Sequence, residues 1–278
     1  MGHGNFHLHF WNEIIMTLLV ILAGISTGIL LGLLGSGGSI VTIPALVYLL
    51  GVHPKSAIAL SLGIVSITAT ISAINHFRSG NVNLKVAAIF GLCGMLGTYT
   101  GTKLGILMPV VLQLGLFALV MYAAAYRMLK PKRRFGSVGA DVVRSAPEIA
   151  LHAEGLPAHL GYVALLGLAV GLLTGMVGVG GGFLIIPALV LLSGIPMKQA
   201  VGTSLAIVAV NSGTGFTGYL GVVPVDYALM GTFTAVAIAG SFVGAKISHH
   251  ISPDNLKRGF GIFLVIVATY ILIKSVIF

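Results

Sequence analysis

Two shortages define this chain before any motif is read. It has six Asp and Glu residues in 278 positions, and a single cysteine, Cys93. Charged residues of both signs make up only 8% of it, against about 25% in soluble domains, so it could not cover a surface in water. One cysteine excludes an intramolecular disulfide and any thiolate cluster around a metal. The acids are Glu13, Asp141, Glu148, Glu154, Asp226 and Asp254, all in predicted loops or at the ends of apolar runs. No carboxylate is set mid-membrane, where intramembrane acids bind cations or relay protons. No Lys or Arg precedes Lys55, and the first apolar run is too long for a signal core, so a cleaved leader is not expected.

What is abundant is apolar. Hydrophobic residues are 57% of the chain and the mean hydropathy is +1.07. Runs of roughly 20 residues, the length that crosses a bilayer, recur along most of it. The class is therefore an all-α polytopic membrane protein. Its partners are the lipid bilayer and whatever it moves. The basic excess, 15 Lys and Arg, is read as setting topology rather than binding nucleic acid. Glycine, at 39 residues, is about twice its usual share of ~7% and suits close helix contacts in lipid.

The chain also repeats itself. Residues 24–46 read GISTGILLGLLGSGGSIVTIPAL and residues 167–189 read GLAVGLLTGMVGVGGGFLIIPAL. Gly24, Gly28, Gly32, Gly35, Gly37, Gly38 and Pro44 fall on Gly167, Gly171, Gly175, Gly178, Gly180, Gly181 and Pro187. The offset continues without a gap: Lys55 meets Lys198, Ser61 meets Ser204, and GTYTGTK (97–103) meets GSFVGAK (240–246). Apolar segments at 14–34, 40–50, 56–77, 84–107 and 110–129 answer those at 160–177, 183–193, 199–220, 227–249 and 256–277. The predicted organisation is a first transmembrane repeat at 1–130, a polar linker at 131–158 and a second repeat at 159–278. Each repeat holds four long spans and one short segment after the glycine cluster. A duplicated, glycine-broken apolar unit is what a secondary transporter presents.

Charge arbitrates between parallel and inverted halves. With the KPKRR linker in the cytoplasm and the short segments crossing, Arg78, Lys85, Arg127, Lys198, Lys246, Lys257 and Arg258 lie inside. Only Lys55, Lys103 and Lys274 then lie outside, with the Lys-free N-terminus. Re-entrant short segments would move Lys198, Lys246, Lys257 and Arg258 outside. The positive-inside rule favours inverted 5+5 repeats.

The glycine breaks carry the chemistry. Gly35, Ser36, Gly37, Gly38 and Ser39, and Gly178, Gly180, Gly181 and Gly182, precede new helix starts. Amides at a helix N-terminus are free donors at the positive end of the dipole and suit an anion. Irregular backbone at membrane depth is tolerated where it is buried or lines a cavity. Gly24, Gly28, Gly32 and their counterparts read instead as packing glycines. No Gly-Lys-Ser/Thr follows, so neither break is a nucleotide-phosphate loop. Of the in-span polar residues, Asn211 is the strongest cavity candidate, because a buried amide is costly to leave unpaired. Ser61 and Ser204 gain from their equivalent positions, although hydroxyls in such helices also bond their own backbone. His76, Arg78, Lys103 and Lys246 sit at span ends, as electrostatic or gating groups or as snorkelling side chains.

On the doubled glycine cluster with its proline, on FRSGNVN (77–83) and on the Gly-x-x-x-Gly before Lys103 and Lys246, the chain resembles the TauE/SafE family. The resemblance implies an inner-membrane transporter, an exporter in the family's usual sense, for sulfite, thiosulfate or organosulfonates. It carries over to Gly35, Gly37, Gly38, Pro44, Gly178, Gly180, Gly181, Gly182 and Pro187. Ser36 and Ser39 depart from an all-glycine core, and FRSGNVN has no match in the second repeat. The expectation is a secondary transporter of a small sulfur anion by alternating access, with no enzyme activity, no cofactor and no metal site. A homodimer stays open. The rivals are a metal or cation permease using His3, His7 and His9, a membrane enzyme, for which no nucleophile or acid–base pair is visible, and a passive channel.

Overall fold

Proline and capping residues set where the long helices begin. In the structure, a computed structural model, residues 3–34, 39–129, 156–178, 180–182, 185, 189, 197–248, 259, 261–262 and 265–273 are described. Helix α1 runs His3–Leu34, starting well before its apolar run, so the His-rich N-terminus is helical. The short segment opens as α2, Ser39–Pro44, and continues as a π-helical turn, Ala45–Leu49. Pro44 lacks an N–H and crowds the preceding turn. The ladder widens there, with Leu50 N–H donating to Ala45 O at 3.2 Å and Val52 N–H to Leu46 O at 2.9 Å.

Helix α3, Pro54–Arg78, has its proline in the first turn, where the missing N–H has no intrahelical partner anyway. Gly80 (φ 71°) turns the chain. Asn83 then caps α4, Leu84–Leu107, by accepting the Val86 N–H at 3.3 Å. After α5, Val110–Leu129, come α6, Leu156–Val177, α7, Met197–Tyr219, and α8, Tyr227–Ser248. Asp226 caps α8 through the Leu229 N–H at 2.9 Å. Among the described residues, Pro54–Arg78, Leu84–Leu107 and Tyr227–Gly244 are long and apolar enough to cross a membrane. Leu92, Leu96, Leu107, Val111, Leu119 and Leu165 are exposed on the outside, as a bundle solvated by lipid requires. The linker at 131–158 lies outside the described residues up to 155, where α6 is about to begin.

Glycine sets the helix pairs. α1 packs on α8, α4 on α6, α3 on α7, and α7 also on α4. A β-carbon on Gly28 would strike the Ala237 carbonyl, and one on Gly244 the Ile29 carbonyl. On α4 and α6, Gly171 meets Gly94 O, Gly175 meets Thr98 O, Gly97 meets Leu168 O and Gly101 meets Leu172 O. These are backbone-to-backbone contacts that only glycine permits, the small-residue packing of helices in lipid. Gly32, read with the packing glycines in sequence, is half-buried on α1.

The same contacts give direction. Along α1 and α8, and along α4 and α6, contacting residue numbers rise together, so each pair is parallel. Between α3 and α7 they fall: Gly215 meets Leu62, Gly213 meets Ser66, and Gly202 meets His76. That pair is antiparallel. Ser66 Oγ donates to Ala209 O at 2.9 Å, joining two positions 143 residues apart. The remaining core forms where α5 meets residues 265–273, with Phe117, Ala118, Met121, Ala268 and Ile271 buried together, and Tyr122 hydroxyl bonded to Thr269 at 2.6 Å.

Candidate functional site

The second glycine break lies inside the bundle. α6 stops at Val177 because Gly178 (φ 79°), Gly180 (φ 68°) and Gly181 (φ 69°) take left-handed backbone that other L-residues resist. Gly178, Gly180, Gly181 and Gly182 are all buried. Gly178 N–H closes the helix on Thr174 O at 2.7 Å, and Ile185 N–H donates to Gly181 O at 3.1 Å, opening the next helical turn. Amides at such a start have no carbonyl partner in their own helix. Gly180 lies against Val65 of α3 and against Val208 and Ser212 of α7. Val65 and Val208 stand near the middle of their helices, so the break reaches mid-height of the bundle.

Two of the predicted hydroxyls are engaged. Ser61 is fully buried and donates to Gly178 O at 3.1 Å, tying α3 to the first residue of the break. Ser204 is fully buried and donates to Val201 O at 2.8 Å in its own helix. Asn211 differs. It is 0% exposed, and neither its Nδ2 nor its Oδ1 has a partner among the described residues. It is seated against Gly94, whose hydrogen leaves the only room for the amide: a β-carbon there would lie 2.5 Å from Nδ2. Next to it, the Ser212 hydroxyl is likewise buried and unpartnered.

The cations stay apart from the break. Arg78, Lys103 and Lys246 are exposed, and the Lys103 ammonium rests 5.5 Å over the Tyr99 ring. His76 is half-buried and packs at Gly202, its carbonyl accepting the Asn81 N–H at 3.0 Å. Gly35, Ser36, Gly37 and Gly38 lie outside the described residues, as does the side chain of Ser39, which begins α2. Sequence reading passed over Lys55 as a structural tie: its ammonium donates to Ile106 O at 2.8 Å, capping the end of α4. It also passed over Thr98, Thr102 and Gln113, which are buried with oxygens unpartnered among the described residues. The i, i+4 spacing of the two threonines beside Gly94, Gly101 and Gly105 was the available signal.

The two ends of the bundle are unlike. Between the starts of α3 and α8 lies a cavity of about 390 Å³, lined in part by His53, Ser56, Leu60, Pro224, Asp226 and Leu229. At the other end, the turn before α4 sits directly on α7. Asn83 N–H donates to Thr203 Oγ1 at 2.9 Å, and Asn81 O presses on Gly202. In the sequence offset, Leu60 answers Thr203 and Asp226 answers Asn83. The same place is a cavity at one end and a seal at the other.

The chain is similar in sequence to proteins named as probable membrane transporters. The family model described as Sulfite exporter TauE/SafE matches residues 20–271. A Xylella fastidiosa (strain 9a5c) protein named "Probable membrane transporter protein" is 33% identical over 251 residues, covering 89% of this chain and 92% of the relative. The Bacillus subtilis (strain 168) "Probable membrane transporter protein YdhB" is 27% identical over 240 residues, 86% of this chain and 94% of its own. A Methanocaldococcus jannaschii relative, also named a probable membrane transporter protein, is 35% identical over 112 residues, 38% of this chain and 42% of its own. No solved structure matches the chain.

Proposed function

The chain belongs to the sulfite exporter TauE/SafE family, and from that membership we propose a secondary transporter that exports a small, oxygen-rich sulfur anion, sulfite or an organosulfonate, across the inner membrane. One observation carries the reading: Asn211 is fully buried against Gly94 with neither amide atom partnered among the described residues, and its neighbour Ser212 lies against Gly180 of the mid-height break. An unpaired buried polar atom costs about 1–3 kcal/mol, so a helix keeps such a residue where a ligand completes it. The amide Nδ2 and the Ser212 hydroxyl supply donors, on this reading joined by the backbone amides at the helix start, Gly180–Gly182, and no acid faces them among the described residues. That donor set suits an oxyanion. Ser61 and Ser204 shape the two half-sites, and the exposed Arg78, Lys103 and Lys246 raise the local anion concentration.

On this reading the halves, 1–130 and 159–278, are inverted repeats of five crossings each. Direction supports it. α3 and α7 are equivalent in the sequence offset and run antiparallel, whereas copies related by an axis along the membrane normal would run parallel. α1 pairs with α8 as α6 pairs with α4, the exchange a two-fold relation demands. α1 and α3 share a direction, so the chain must return between Leu34 and Pro54, and α2 with its π-helical turn is the segment available. Alternating access draws support from the unlike ends. With the linker cytoplasmic, the cavity beside Asp226 opens outward while the Asn83–Thr203 contact seals the inside.

Uptake into proteoliposomes tests the reading, with sulfite, thiosulfate, taurine and a divalent metal ion compared with and without a pH gradient. Saturable flux and counter-flow of one sulfur anion are expected. The substrate assignment fails if none of them moves or competes, and the cation reading replaces it if only the metal is carried.

A further inference from the structure

Along α4, one threonine behaves as membrane threonines usually do and two do not. Thr100 faces outward and donates to Leu96 O and Gly97 O, both at 2.9 Å. Thr98 and Thr102 face the interior, are 0% exposed, and their hydroxyls have no partner among the described residues. Their usual acceptors are the carbonyls four residues back, Gly94 O and Thr98 O. Those two carbonyls lie under Gly171 and Gly175 of α6, so the helix that would quench the hydroxyls has its oxygens covered. The methyl groups of Thr98 and Thr102 rest on Gly215 and Gly218 of α7. One turn further on, Gln113 of α5 donates through Nε2 to Met176 O at 2.6 Å and to the Tyr219 hydroxyl at 3.3 Å. That fixes its other atom, Oε1, as a buried acceptor with no donor among the described residues.

These groups form a row. Thr98 and Thr102 are one helical turn, about 5.4 Å, apart. The row leads from the level of Asn211, which lies against Gly94, to the end of α4 at Gly105, where Gln113 and Tyr219 meet. The equivalent seam between α3 and α8 is quenched instead: Ser241 donates to Ile238 O at 2.8 Å and Thr68 to Ile64 O at 2.6 Å. Thr27 of α1 is also buried and unpartnered among the described residues, but it stands singly; packing alone does not ask for unpaired hydroxyls in a row, since valine has the shape of threonine without the cost.

We propose that the α4–α7 seam is a second oxyanion subsite, a relay between the glycine break and the bundle end, in which Thr98 and Thr102 donate to the anion's oxygens and Gln113 Oε1 accepts from its protonated oxygen. The proposal rests on the transporter reading above and adds a ligand class: a singly protonated oxyanion, with hydrogen sulfite as the probe. The seam is shut in this structure and opens when α4 and α7 part.

The test uses full-length protein in two assays, sulfite counter-flow in proteoliposomes at mildly acidic pH and thermal unfolding in detergent with and without sulfite. Thr98→Val and Thr102→Val each remove one hydroxyl at constant shape. Each variant is expected to lower the maximal flux about tenfold, as one hydrogen bond to an anion is worth, and to keep both the wild-type melting temperature or better and the thermal shift produced by sulfite. Gln113→Met is expected to flatten the preference of flux for acidic over alkaline pH. Wild-type flux in the folded double variant, T98V/T102V, overturns the subsite and leaves the transporter reading standing. A wild-type protein that neither carries sulfite nor is shifted by it overturns the reading at the break, and the relay with it.

Discussion

Replacing Asn211 by the residue at the equivalent position of the first half should stabilise the protein and silence it. That residue is Thr68, which donates to Ile64 O at 2.6 Å; a threonine at 211 has Ile207 O four residues back. Asn211→Thr removes two unpartnered amide atoms, each costing about 1–3 kcal/mol in soluble proteins, though membrane hydrogen bonds average only about 0.6 kcal/mol. Threonine and asparagine fill nearly the same volume, so the exchange leaves no cavity of consequence. The balance is a gain of about 1 kcal/mol, or a melting temperature higher by about 2–4 °C. Sulfite counter-flow should fall to background in the same preparation, and sulfite should no longer shift the melting curve. The opposite pair of results, a melting temperature several degrees lower with transport intact, would refute the reasoning: Asn211 would then be a satisfied core amide and not part of a site.

Three further outcomes follow from the packing. Gly171→Ala and Gly28→Ala force a methyl onto a backbone carbonyl and should cost about 1–3 kcal/mol each as overpacking, whereas Gly91→Ala and Gly115→Ala, which meet nothing within 4 Å, should leave the melting temperature unchanged. Thr203→Val removes the acceptor for Asn83 N–H and should favour the inward-open state by about tenfold; a cysteine reporter on α7 near Gly202, in a Cys93→Ser background, should react faster with a membrane-impermeant thiol reagent from the linker side. Arg78→Ala should raise the half-saturating sulfite concentration a few-fold at low ionic strength, with maximal flux unchanged, and the difference should vanish in high salt because the side chain is exposed and screened.

Helix boundaries were the most legible part of the fold. The apolar runs at 84–107 and 110–129 are α4 and α5 to the residue, because Asn83 and Pro109 bracket them with local cap and turn chemistry. α1 begins ahead of its apolar run: His3 to Asn12 continue the helix, because a hydropathy run reports lipid contact, not helicity. Of the candidate site, Asn211 was legible from the cost of an unpaired amide. Ser61 was legible as a buried hydroxyl, but not as a donor to Gly178 O, 117 residues away.

The sequence by itself determined the class, the helices, the glycine breaks and the internal offset, since these follow from composition and short-range spacing. Partnership came from tertiary structure alone, and direction, which the charges favoured from sequence, is read there from contacts. Whether α3 and α7 run with or against one another depends on which residues touch across 143 positions. Which threonines are left unpaired depends on a glycine of α6 covering a carbonyl of α4. Thr98, Thr100 and Thr102 carry identical side chains on one helix, and only their neighbours from other helices make two of them different from the third.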